Sequence, residues 1–166
     1  PGTTRDAIDI RFEKDGKTIV VIDTAGVRKK GSINESIEFY SYSRAMRSIS
    51  RADVVLLMLD ATASLSQVDK KLAKSITDQH KSCIIIVNKW DLAKDFAVTE
   101  DYKDYLTKML PGLKYTPIAF TTAIQAKNVQ SVLDLTAEIF KQAMTWVPTG
   151  KLNKALEILK EENMFV

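Results

Sequence analysis

The 166 residues contain one cysteine and one histidine, the two side chains that most often build transition-metal sites. Cys83 has no partner for an internal disulfide, and a single His80 cannot complete a Cys/His metal site with it. Cys83 sits inside the run CIIIV, which reads as a buried thiol in a reducing compartment, so a cytosolic protein is expected. His80 falls just before that run at an expected helix end, where capping or surface exposure is expected over catalysis. Apolar runs are short as well. The longest, residues 54–59 and 84–87, are strand-sized and far from the ~20 residues that span a bilayer, so no membrane partner is expected. A net charge of +3 is too weak for nucleic-acid binding over the whole surface, although local basic clusters stay open. Internal repeats and low-complexity segments are absent. So are an initiator Met and a basic-then-apolar leader: the sequence opens in the middle of a polar loop, PGTTRD.

What is present is the composition of a globular domain, 45% hydrophobic and 27% charged, with room for one domain and the start of another. Strands are expected at residues 7–13 and 17–22, joined by KDGK. Asp15-Gly16 is a two-residue hairpin signal, so these strands should be antiparallel. A helical pattern follows over 34–49, then a nearly all-apolar strand at 53–59 and a helix over 66–79 opened by Ser66 and Asp69. A strand at 82–87, a helix at 99–110, a strand at 115–121 and a helix at 129–144 complete the pattern. Strands apolar on both faces and alternating with helices predict a mostly parallel sheet covered on both sides, with the hairpin fused to it. The composition changes at TWVPTGKLNKALE, where Pro148 and Gly150 punctuate and a charged helix begins near Lys151. Residues 1–145 are therefore read as one domain, and 146–166 as a linker and the first helix of another.

In such sheets ligands bind beyond the carboxyl ends of the strands, so the polar residues there carry the chemistry. After TIVVI come Asp23, Thr24, Ala25 and Gly26. A strand-end Asp can hold hydrated Mg²⁺, and a Gly lets a backbone N–H approach a phosphate oxygen, although Asp before a small-residue turn is common. After CIIIV come Asn88, Lys89, Trp90 and Asp91. A carboxylate accepts two hydrogen bonds from adjacent donors on one edge of a planar ring, as guanine presents and adenine does not. Asn88 can donate to the base or tie neighbouring loops, and the Lys89 stem can lie along a ring face. The tetrapeptide equally suits a capped turn with Asp91 opening a helix. After PIAF come Thr121, Thr122 and Ala123, with backbone N–H groups able to reach a base carbonyl. Gly16-Lys17-Thr18 imitates the end of a phosphate loop, but the glycine it would need at position 11 is Arg11, and a strand follows where a helix should.

DTAG, then NKWD, then a Ser/Thr-Ala turn resembles the signature set of translation-factor-class GTPases, and PGTTRD resembles the effector loop of the Era/EngA/TrmE group. Within that group the tail PTGKLNKALE is similar to the junction between the second GTPase domain of the EngA (Der) family and its C-terminal KH-like domain. The resemblance covers essentially the whole chain. It implies an α/β, P-loop NTPase-like GTPase domain lacking its first strand and phosphate loop, plus the start of the KH-like domain. That missing strand would lie between the strands ending at Ile22 and beginning at Asp53. Thr4, or its neighbour Thr3, would bind Mg²⁺ with Asp23. Asp23–Gly26, Asn88, Lys89, Asp91, Thr122 and Ala123 would hold GTP or GDP, and Thr4, Gly26 and Val27 would belong to the switch regions. Implied partners are the large ribosomal subunit, through rRNA and ribosomal proteins, and a preceding GTPase domain in the same chain. On this reading the 166 residues alone neither bind GTP tightly nor turn it over.

Val27 stands where many GTPases place a water-orienting Gln; the resemblance implies that water is positioned otherwise, with K⁺ serving in place of an arginine finger. Arg28, Lys29 and Lys30 suit either a solvated loop or contact with rRNA phosphates, and Lys151, Lys154 and Lys160 suit a solvated helix face. Trp90 is expected to pack locally and Trp146 to dock between domains. In AIQAKNV, where the family has a Gly-rich turn, Asn128 is expected to take a left-handed or capping conformation. The rival reading is a nucleotide-inert RNA- or ribosome-interaction module that keeps the GTPase fold.

Overall fold

The computed structural model describes residues 9–14, 16–22, 35–94 and 97–161. Two strands, β1 (Asp9–Lys14) and β2 (Lys17–Ile22), pair antiparallel, with Lys14 opposite Lys17, so the turn has the two residues that the sequence predicts. Gly16 takes a φ of 70° there, a left-handed conformation that costs glycine nothing. Helix α1 (Glu35–Arg51) leads into the parallel sheet β3 (Val54–Asp60), β4 (Ser82–Asn88) and β5 (Ile118–Phe120), in that spatial order. The hairpin and the parallel sheet form separate ladders. Helices α2 (Gln67–Asp78), α3 (Trp90–Ala93), α4 (Thr99–Met109), α5 (Val129–Ala143) and α6 (Thr149–Glu161) complete the chain.

The helix ends show why these segments stop where they do. Ser66 Oγ accepts from the Asp69 N–H at 3.2 Å, while Asp69 Oδ2 accepts from the Ser66 N–H at 2.8 Å. The short Asp therefore closes a full capping box at the start of α2. At its other end His80, with φ 52°, is the left-handed residue after the cap. Its N–H donates to Thr77 O at 3.0 Å, and the Lys81 N–H donates to Ile76 O at 3.0 Å, which is a Schellman motif with His in the glycine position. Lys81 Nζ then donates to Ser50 O at 2.7 Å and Ala52 O at 2.9 Å, satisfying carbonyls at the end of α1.

β5 is shorter than the expected 115–121. Pro111 opens a single 3-10 turn (Pro111–Leu113), and the Lys114 and Thr116 N–H groups donate back to Pro111 O and Leu113 O, so they are withdrawn from the sheet. Pro117 O and the Thr121 N–H still bond Ile85 and Val87 of β4, so the ladder outlasts the strand by one residue on each side.

Period-two alternation sends β4 residues to opposite faces of the sheet. Cys83, Ile85 and Val87 join Leu57 and Leu59 of β3 in the larger core, packed by Ile49 of α1, Ala73 and Ile76 of α2, Leu106 of α4 and Leu113. Ile84 and Ile86 face Val132, Leu135 and Ile139 of α5 in a smaller core. Val54 of β3 packs there too, whereas Leu56 and Met58 on that face are exposed. Burial pushes the Cys83 thiol up to about 12, against a lowering hydrogen bond with the Leu57 backbone, so the thiol stays protonated and unreactive. Among the described residues no helix is long and apolar enough to cross a membrane.

Candidate functional site

The parallel register sets Asp60 of β3 opposite Asn88 of β4, and Val87 opposite Phe120 of β5. Three strand ends thus lie side by side, and the loops that leave them carry the polar residues. The sequence turns sharply after β4. Lys89 has φ 62° and ψ 33°, a left-handed conformation costly for a non-glycine residue, and it caps the four-residue helix α3 without a side-chain bond.

That one kink sends neighbouring side chains in opposite directions. Asn88 turns toward β5, where its Oδ1 accepts from Thr121 Oγ1 at 3.2 Å and from the Ala123 N–H at 3.0 Å. A backbone N–H can only donate, so this contact fixes which end of the Asn88 amide is the oxygen. The Trp90 N–H adds a 3.1 Å bond to Thr121 O. Lys89 turns the other way, toward β3, and its Nζ lies 2.8 Å from Asp60 Oδ2. Asp60 is itself clamped, because its Oδ1 accepts both the Thr62 N–H at 2.9 Å and Thr62 Oγ1 at 2.7 Å. Burial alone would raise the Asp60 pKa. The hydrogen bonds from Lys89 and Thr62 outweigh it and hold the carboxyl well below the usual carboxylate range.

The loop after β5 is braced from within. Thr122 and Lys127 form an isolated bridge, Ala126 and Asn128 both have positive φ, and Asn128 Nδ2 donates to Phe120 O at 2.8 Å. Asn128 therefore does take the left-handed conformation expected of it, although its side chain braces β5 and does not cap α5. Trp90 packs locally, its ring 4.4 Å from Phe120 and 5.6 Å from Tyr102 between centroids. This aromatic wedge supports α3 from below. Asp91, in the first turn of α3, is half-buried and has no hydrogen-bonding or ionic partner among the described residues.

Asn88, Lys89, Asp91, Thr122 and Ala123 are thus brought together at the carboxyl ends of β4 and β5. Thr4, Asp23, Thr24, Ala25, Gly26 and Val27 lie outside the described residues, as do Arg28, Lys29 and Lys30. Among the described residues no group of three or more His, Cys, Asp or Glu could hold a metal ion. The Ala123 N–H, reserved in the sequence for a base carbonyl, here donates to Asn88. The Thr121 N–H, also expected near a base carbonyl, donates to Val87 O instead, and Asp60 carries no site role in the sequence reading. The signal for Asp60 was present in LMLDAT: an Asp at a strand end with Thr two residues later is the pattern of a side chain that bonds its own backbone.

With this geometry in view, the comparisons are direct. The GTPase Der of Rhodopirellula baltica is 45% identical over 162 residues, 98% of this chain and 36% of the relative. The GTPase Der of Caldanaerobacter subterraneus subsp. tengcongensis is 41% identical over 157 residues, again 36% of its own length. The chain therefore spans about a third of the length of the curated relatives it matches. Among solved structures, Era in complex with MgGDPNP and nucleotides 1506-1542 of 16S ribosomal RNA superposes with a TM-score of 0.66. It covers 89% of this chain and 47% of Era at 23% identity, a likeness of fold: the α/β, P-loop NTPase-like GTPase domain. Residues 1–89 match the family described as 50S ribosome-binding GTPase, a span that takes in Asp23–Gly26 and ends on Lys89. On a match that covers more than half of its residues, the chain belongs to the 50S ribosome-binding GTPase family.

Proposed function

We propose that these residues form the base-recognising and switch portion of a GTP-binding, GTP-hydrolysing protein that acts as a switch in assembly of the large ribosomal subunit. The observation that carries this reading is the splayed Asn88–Lys89 pair with Asp91 beside it. Asn88 locks the β4 and β5 loops together, and Asp91 presents two acceptor oxygens without a partner among the described residues. Guanine meets such a carboxylate with its N1 and exocyclic amine donors, the Lys89 stem offers a flat apolar flank, and Thr122 and Ala123 are proposed to border the base from the β5 loop that Asn88 holds.

Thr4 and Asp23 are proposed to hold Mg²⁺, with Thr24, Ala25, Gly26 and Val27 following the state of the γ-phosphate and K⁺ supplying charge in place of an arginine finger. Residues 1–145 are assigned to the GTPase domain and 146–166 to a linker and the first helix of a KH-like domain. The 45% identity to a GTPase Der supports a cytoplasmic protein with a preceding GTPase domain and with rRNA and ribosomal proteins as partners.

Asp91→Asn in the full-length protein tests the reading. Xanthine carries a carbonyl where guanine carries the amine, so an amide at position 91 exchanges acceptor for donor, and preference should move from GTP to XTP. Sites built on base hydrogen bonds discriminate by about 10⁴. Competition binding in which GTP remains preferred removes Asp91 from base recognition, and an unsubstituted protein that binds neither nucleotide favours the nucleotide-inert module.

A further inference from the structure

The ion pair between Lys89 and Asp60 crosses from the end of β4 to the end of β3, away from Asp91 and Asn88. We propose that Asp60 is a positioning residue for the purine: through Lys89 it fixes the side chain against which the base lies. The inference rests on the base-recognition reading above and extends it to a residue outside the NKWD motif.

Three observations carry it. Asp60 has only 18% of its side chain exposed, while Lys89 is 48% exposed, so the carboxylate is the anchored partner and the lysine the one presented to a ligand. The anchor has contacts of its own, because Thr62 donates twice to Asp60 Oδ1 while Oδ2 meets the ammonium. The Lys89 backbone is held left-handed, and the pair at the far end of its side chain removes the freedom of the four-carbon stem between them. A lysine stem loses much of its rotamer freedom when it is fixed. Here that ordering is done by Asp60 and not by the ligand, which is how preorganisation raises affinity. The carboxyl also stays ionised well below the ordinary carboxylate range, so the anchor persists throughout the working pH range.

The test uses GDP and inosine diphosphate on the full-length protein, by calorimetry. Asp60→Asn keeps an oxygen for Thr62 but turns an amide toward the ammonium. Because the Lys89 stem meets the ring face and not its amine, affinity for both nucleotides should fall by about tenfold, with their ratio unchanged. In a Lys89→Ala background the same substitution should cost nothing further, and Asp60→Glu should recover part of the loss. Losses that add to those of Lys89→Ala, unchanged affinities, or a shifted GDP-to-inosine ratio would each overturn the inference, since a purely structural Asp60 gives the first and a base-edge contact the last. The two readings separate cleanly. If the unsubstituted protein binds neither nucleotide, the base-recognition reading falls; if it binds GDP and Lys89→Ala leaves that affinity intact, or Lys89→Ala weakens binding but Asp60→Asn does not, only the role of Asp60 falls.

Discussion

Ile84 and Ile85 are neighbours on β4, chemically identical and both buried, yet they belong to different halves of the molecule. Ile85 enters the core closed by α1, α2, α4 and the 3-10 turn. Ile84 enters a core that, among the described residues, is closed by α5, beside a stretch of β3 whose Leu56 and Met58 are exposed. The difference teaches that the sheet is not a symmetric sandwich here. Among the described residues the larger core lies on one side, and that side also carries the aromatic cluster of Trp90, Tyr102 and Phe120.

The largest effect expected from this asymmetry is at Ile85. Ile85→Ala leaves a cavity walled by three helices with little freedom to collapse, and should cost about 4 kcal/mol; Ile84→Ala, next to a single helix that can settle inward, should cost about 2 kcal/mol. Hydrogen exchange of the β4 amides in the full-length protein reads both. Equal losses would mean that the two faces are equally stiff. Gly112→Ala sharpens the comparison within the tighter face. The new Cβ would lie 2.7 Å from Thr77 Oγ1 and 3.1 Å from its Cγ2, on a β-branched side chain already bonded to Ala73 O. Overpacking there should cost about 1–2 kcal/mol, and adding Thr77→Ala should relieve most of the clash. A double variant no better than the single one, by the same exchange measurement, would show that the 3-10 turn itself resists the alanine. The smallest expected effect has the opposite sign: His80→Gly removes a left-handed non-glycine residue from the Schellman motif and should stabilise α2 by about 1 kcal/mol, read as slower exchange in its last turn.

Much of this was legible from the residues. The Asp15-Gly16 hairpin, the capping box of Ser66 and Asp69, and the alternation of apolar strands with helices follow from local patterns of period and turn chemistry. The conformation of Asn128 was legible because few residue types tolerate positive φ. Less legible was whatever depends on partners distant in sequence. That Asn88 would spend its oxygen on Thr121 and Ala123, or that Lys89 would reach back to Asp60, is settled by the register of three strands, which no single motif contains. The shortened β5 has a nearer cause, since Pro111 started a turn whose bonds took the N–H groups of Lys114 and Thr116.

Lys81 has a mechanical consequence. It is the third residue after α2, yet its ammonium grips carbonyls at the end of α1, while Ser50 Oγ donates to Gln79 Oε1 and Arg51 pairs with Asp9 of β1. The far end of α1 is therefore tied at once to the hairpin, through Asp9, and to the residues that lead into β4, through Lys81. From that tie α1 runs back 17 residues to Glu35, which at the ~1.5 Å rise of a helix is about 25 Å. A rod of that length held at one end and tilted by ten degrees moves its other end by about 4 Å, so the ties at Arg51 and Lys81 set the position of a distant part of the helix.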